Sequence, residues 1–395
     1  MMTLGMQRTL RLFATATVAV ALLAGCGTVK NLFGGRGKDK SGEPAKLVDF
    51  TPSVTVNKLW SVSVGKGEKL LGIGQHPAIL DGRVYAAALE GGVTAIDLKT
   101  GQTLWQYPSK LRLGGGPGVG DGLVVVGGLK GDVVALDAAD GHEKWTAKVG
   151  NEVLSAPAIG GGMVFVHSND GRVTAFDAAT GERRWFYSED LPALTVRGTS
   201  GLTLGPNLVF VGGDNGKLTA LHANDGSVVW ATAVAEPDGR SELERMADVD
   251  GEPLLEGTTL FATSYKNHTV AIDGPSGQVM WDTEHGGARG LGLSNSAVVV
   301  TDKNGNVHGL DRNSGGSLWQ QPGLANRNVT APAVQGDYAV VGDFEGVVHW
   351  LRLSDGAFAA RSKVGGTLNG KPVVADGIVV VQGTDGKLTA FALQP

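Results

Sequence analysis

The sequence predicts an all-β protein, an eight-bladed β-propeller with four antiparallel strands per blade, and three observations carry that expectation. Tryptophan recurs at 60, 105, 145, 185, 230, 281 and 319, spaced 45, 40, 40, 45, 51 and 38 residues apart. A period near 40 with four strand-length runs per unit is a propeller blade. A glycine stands four residues before the tryptophan at Gly101, Gly141, Gly181, Gly226, Gly277 and Gly315. Glycine also makes up 62 of 395 residues, about twice its ~7% average usage, and each costs ~1 kcal/mol inside a helix.

The first element is an address. Arg8 and Arg11 precede an apolar run from Leu12 to Leu23 and then Leu23-Ala24-Gly25-Cys26, the layout of an export signal. The run is too short for a helix that crosses a bilayer, which needs ~20 residues. Leu-Ala-Gly-Cys resembles the bacterial lipoprotein box, which implies cleavage after residue 25 and lipidation of Cys26 as the first mature residue. Gly27 follows the cysteine where inner-membrane retention commonly uses aspartate, so outer-membrane sorting is the expectation. Removal of Arg8 and Arg11 takes the net charge from −5 to −7. Residues 26–49 then read as a flexible tether, poor in apolar side chains. Within residues 27–46, Lys30, Arg36, Lys38, Lys40 and Lys46 outnumber Asp39 and Glu43, a balance suited to anionic headgroups or to plain solvation.

The repeating unit follows, and residues 50–395 are assigned to the propeller. Residues 77 to 105 show it: Asp81-Gly82 between two apolar runs is a hairpin turn signal, Gly91 marks a second turn, and Asp97 through Gly101 a third. The tryptophans are expected to pack between neighbouring blades. In the seventh unit Gly356 is kept and Ala360 replaces the tryptophan, and the eighth stops at Phe391-Ala-Leu without a fourth strand. The segment 56–64, with Trp60, is expected to supply that strand and close the ring, which hides the sheet edges.

Composition excludes several functions. The acidic balance argues against nucleic-acid binding, and a single cysteine forbids an internal disulfide and a cysteine-rich zinc site. The eight histidines lack ligand spacing; His308 and His349 occupy equivalent places in successive units and are read as strand residues. Gly114 to Gly120 is glycine-rich but lacks the lysine and following helix of a phosphate loop. No catalytic residue, cofactor or metal is assigned.

The pattern Ala-(apolar)-Asp-x-x-(Thr/Asp)-Gly-x-x-x-Trp, at Ala95 to Trp105, Ala135 to Trp145 and Ala175 to Trp185, resembles the repeat of quinoprotein alcohol dehydrogenases. That resemblance implies an alternative, an oxidoreductase holding pyrroloquinoline quinone and calcium on the axis. The near-bare units and the missing second cysteine weigh against it, because fold alone does not carry activity.

Departures from the period locate the expected function. Five extra residues follow Trp185 and eleven follow Trp230. Both fall where the outermost strand of one blade crosses to the innermost strand of the next, so they are expected side by side on one face. The first insertion holds Leu194, Val196 and Arg197, apolar groups beside an arginine, as binding hot spots favour. The second holds Ser241-Glu-Leu-Glu-Arg245, expected to form a helical turn, and Asp248 and Asp250. A plainer role is a pin in which Arg197 pairs with Asp248 or Asp250.

Together, the lipoprotein box, the bare propeller, Leu-Thr-Val-Arg-Gly at 194–198 and Arg-Met-Ala-Asp-Val-Asp at 245–250 resemble the outer-membrane β-barrel assembly lipoproteins. The resemblance implies a non-enzymatic scaffold on the periplasmic side of the outer membrane of a Gram-negative bacterium. Leu194, Val196, Arg197, Asp248 and Asp250 would then dock onto the POTRA domains of a BamA-like barrel-inserting subunit, and unfolded outer-membrane proteins are further candidate partners. Val196 stands where that family also has leucine. A generic envelope propeller for glycans or peptides is the remaining alternative.

Overall fold

Runs such as Arg83–Ala88, Leu123–Gly127 and Ala297–Thr301 are apolar at nearly every position and buried almost throughout. A strand with consecutive apolar residues needs cover on both faces, and stacking sheets radially supplies it. The computed structural model, which describes residues 42–67 and 73–394, arranges the chain as eight four-stranded antiparallel sheets, an eight-bladed propeller. The signal segment, Cys26 and most of the expected tether lie outside the described residues. No described helix is long and apolar enough to cross a membrane.

Seven blades are built from consecutive strands, the first from Ala78–Leu80, Arg83–Ala88, Gly92–Asp97 and Thr103–Tyr107. The eighth uses Val373–Ala375, Ile378–Gln382 and Lys387–Leu393, and takes its fourth strand from Val56–Ser63. The expected closure is therefore present, with Val56 opposite Leu393 and Ser63 opposite Lys387. Core clusters lie between blades: Tyr85 and Val93 of the first pack with Val124 and Val134 of the second.

Chain direction fixes what each face carries. Going up and down four strands, a blade places its first and third turns on one face, and its second turn and the crossing to the next blade on the other. The first of these faces is where the tryptophans are held. Each of the seven indole Nε1 atoms donates to a backbone carbonyl in the third turn of the next blade at 2.7–3.1 Å, Trp105 to Ala138 and Trp145 to Ala178 among them. The glycine of that turn lies on the ring: a Cβ on Gly141 would sit 2.4 Å from Trp105 Cε3, and its φ is +78°. Only glycine satisfies both constraints. A bulge beside each tryptophan skips one residue, so Ala95 opposes Trp105 while Ile96 opposes Thr103. The skipped Leu104, and likewise Leu59, Met280 and Leu318, stay exposed at the perimeter.

Ala360 departs from the series for a physical reason. The eighth blade is closed by a separate segment, so no third turn exists there to receive an indole. The seam is filled otherwise: Phe50 stacks on Phe358 at 5.6 Å, and the Arg361 guanidinium lies 4.3 Å from the Phe358 ring centroid. Trp350, outside the periodic set, packs edge-on against Phe391 and donates to Gln335 Oε1 at 2.7 Å. The segment ahead of the closing strand is bound from Ala45 onward, through Ala45 N–H to Ala325 O at 2.8 Å and Arg361 Nη1 to Val48 O at 2.6 Å.

Candidate functional site

The crossover face carries both insertions, and they are in contact as their place in the topology requires. Residues 189–201 link the third and fourth blades, and residues 234–253 link the fourth and fifth. The second insertion contains a single helical turn, Glu242–Arg245, with Ser241 as N-cap in a reciprocal capping box with Glu244. It ends in Met246, Ala247, Asp248 and Val249, all buried.

Asp248 is fully buried, and its Oδ1 accepts the Val196 backbone N–H at 2.8 Å. That bond joins the insertions in place of the pin expected from sequence. Arg197 instead reaches the other way, with Nη2 2.6 Å from Glu152 Oε2 in the crossover between the second and third blades. Asp248 is engaged by the loop backbone, while the Arg197 side chain is paired with Glu152. Three successive crossovers are thereby laced together.

What this lacing presents is an apolar and cationic ridge. Leu191 and Leu194 are 43% and 41% exposed, Arg197 is exposed, and Val196 is half-buried. Leu243 on the helical turn is 64% exposed. Asp250 is half-buried with its carboxylate 3.4 Å from where a Gly198 Cβ would be. The expected site residues are thus neighbours, and they divide by burial: Leu194 and Arg197 are exposed, Val196, Arg197 and Asp250 line the mouth of the axial cavity, and Asp248 is buried and holds Val196.

Sequence reasoning missed Glu152, Glu189 and Asp214. Asp214, in the second turn of the fourth blade, reads in sequence as an Asp-Asn-Gly turn, and nothing local signals its approach to Asp248 and Asp250. Burial, reinforced by the Asp248 and Glu189 charges, pushes the Asp214 carboxyl up to about 7. Burial likewise raises Asp248, and burial together with the Asp248 and Asp214 charges raises Asp250 well above the usual carboxylate range.

His308 and His349 are buried and bonded to carboxylates, Nε2 lying 3.2 Å from Asp302 Oδ2 and 3.1 Å from Asp343 Oδ2 respectively. Arg361 Nε donates to His349 Nδ1 at 3.1 Å, which makes that nitrogen an acceptor and the ring neutral. Burial lowers the His349 pKa in keeping with this.

A cavity of about 990 Å³ follows the axis, walled by first strands of the blades with aliphatic side chains such as Val119, Ile159, Leu204 and Val374. Arg289 and Lys371 stand at its crossover end.

The family model described as "Outer membrane protein assembly factor BamB" matches residues 53–111, 89–321 and 303–394. The protein of that name from Xanthomonas campestris pv. campestris is 58% identical over 384 residues, covering 94% of this chain and 95% of the relative. Among solved structures, BamB from Moraxella catarrhalis superposes with a TM-score of 0.78 at 27% identity, covering 86% of this chain and 100% of that one. The quinohemoprotein alcohol dehydrogenase from Comamonas testosteroni, at 15% identity and a TM-score of 0.67 over 88% of this chain and 78% of its own, shares the fold alone. On the family match and the near-complete 58% identical relative, the chain belongs to the BamB family of outer membrane protein assembly factors.

Proposed function

We propose that this protein is a non-enzymatic scaffold of the outer-membrane β-barrel assembly machinery, anchored to the periplasmic face of the outer membrane through lipidated Cys26. Its laced crossover ridge docks onto the POTRA domains of a BamA-like barrel-inserting subunit. The observation that carries the reading is the Val196–Asp248 hydrogen bond, which ties together the two insertions and holds the loop on which Leu194 and Arg197 are exposed. A rigid display of apolar and arginine side chains loses little conformational freedom on binding, which favours affinity. Leu194, Val196 and Arg197 form the contact in this reading, Asp250 flanks it, and Asp248 acts by holding Val196.

Support for a non-catalytic role comes from family membership. Holding the barrel-inserting subunit near the membrane assists folding and insertion of outer-membrane proteins. The test is affinity purification of the tagged full-length protein from solubilised outer membranes. Barrel-assembly subunits should co-purify with the wild type and be depleted with Arg197→Glu; recovery of none with the wild type would overturn the reading.

A further inference from the structure

Under the docking ridge, Asp214, Asp248 and Asp250 each offer one carboxylate oxygen, and these atoms all lie within 4.8 Å of one another. Oxygen ligands held at about 2.4 Å from a calcium ion are at most about 4.8 Å apart, so the three fit one coordination shell. Asp248 is fully buried, and its Oδ2 has no hydrogen-bond partner although Oδ1 is bonded to Val196. Asp250 Oδ1 is likewise buried without a partner. A buried carboxylate oxygen without a donor is expensive, and here two such oxygens belong to carboxylates of one three-membered cluster. Glu189 borders the group: its carboxylate lies against Gly213, next to Asp214, and its Oε1 is also buried without a partner.

We propose that Asp214, Asp248 and Asp250, with Glu189 at the margin, form a binding site for one hard divalent cation of the calcium or magnesium class. All-oxygen anionic ligands select such ions over soft transition metals. The cation joins the second turn of the fourth blade to the crossover that supports Val196, and so ties the docking loop to the propeller body. Gly198 of that loop rests against the Asp250 carboxylate. The other acid-rich trio, Asp137, Asp140 and His142, differs: Asp140 and His142 are exposed, the trio lies on the opposite face, and its carboxylates already bond turn N–H groups and Lys144. The site is independent of the docking proposal, since cation binding is measured on the protein alone.

The experiment is calorimetric titration of the full-length protein, purified in detergent and stripped with a chelator, with CaCl2 and MgCl2 at pH 7.5, alongside melting scans. One equivalent of at least one ion should bind, with Kd of about 0.1–1 mM for a site in the envelope, and should raise the melting temperature. Asp214→Asn and Asp250→Asn should each weaken binding at least about tenfold. These variants remove ligands without touching the Val196–Asp248 bond, so the folded state is preserved for the comparison. Absence of binding and of any melting shift up to about 10 mM of either ion, or binding unaltered by both substitutions, would overturn the proposal.

Discussion

Arg197 exemplifies what single side chains do here. Its pair with Glu152 is partly solvated, and such pairs contribute about 0–1 kcal/mol, so loss of that pair should move the melting temperature little. A hot-spot arginine lost from an interface costs about 2 kcal/mol or more, about thirtyfold in Kd. Arg197→Ala should therefore show the affinity loss for the barrel-inserting subunit without the stability loss, read on the same samples. A drop in melting temperature that Arg197→Glu with Glu152→Arg restores, at unchanged affinity, would reduce Arg197 to a loop fastener. Asp214 gives a second residue-scale prediction. Its folded pKa of about 7 is raised above the ordinary 3.8, so the stability tied to its protonated form is present at low pH and lost as pH rises through 7. In chelator, the melting temperature should fall as pH rises from about 4 to about 7 and level off above that, and Asp214→Asn should flatten that slope. Leu194 and Arg197 were legible because an insertion in a periodic sequence is visible. Glu152 and Asp214 were not, because their partners lie 45 and 34 residues away in sequence and each sits in an ordinary polar turn or loop.

Blades and their seams obey one repeated device, the indole of one blade seated on the glycine turn of the next. The recurrence of both residues was plain in sequence; the pairing across blades was not, because the glycine four residues before a tryptophan serves the preceding tryptophan. Gly141→Ala should destabilise the fold by about 2 kcal/mol or more, since it combines a positive φ with a clash on Trp105. Chemical denaturation measures it, and a change under about 0.5 kcal/mol, the range of an ordinary surface substitution, would contradict the socket. Sequence also marked Ala360 as an exception without a cause. The cause is topological, since a blade completed by the other end of the chain offers no third turn, and Phe50, Phe358 and Arg361 fill the seam.

For the whole molecule, closure of the ring by Val56–Ser63 leaves one face given to indole sockets and the other free to carry insertions. The lipid anchor is proposed at the residue where the described chain gives no information, so it is tested in the cell: Cys26→Ala should convert the protein to soluble periplasmic material and abolish labelled palmitate incorporation, and incorporation into that variant would refute the anchor. The central claim concerns which surface meets the machinery. A photo-reactive amino acid at Leu194, on the crossover ridge, and at Met280, exposed on the perimeter of the fifth blade, distinguishes the surfaces in intact cells. The account predicts a crosslink to the barrel-inserting subunit from position 194 and none from 280; capture from 280 with none from 194 would contradict it.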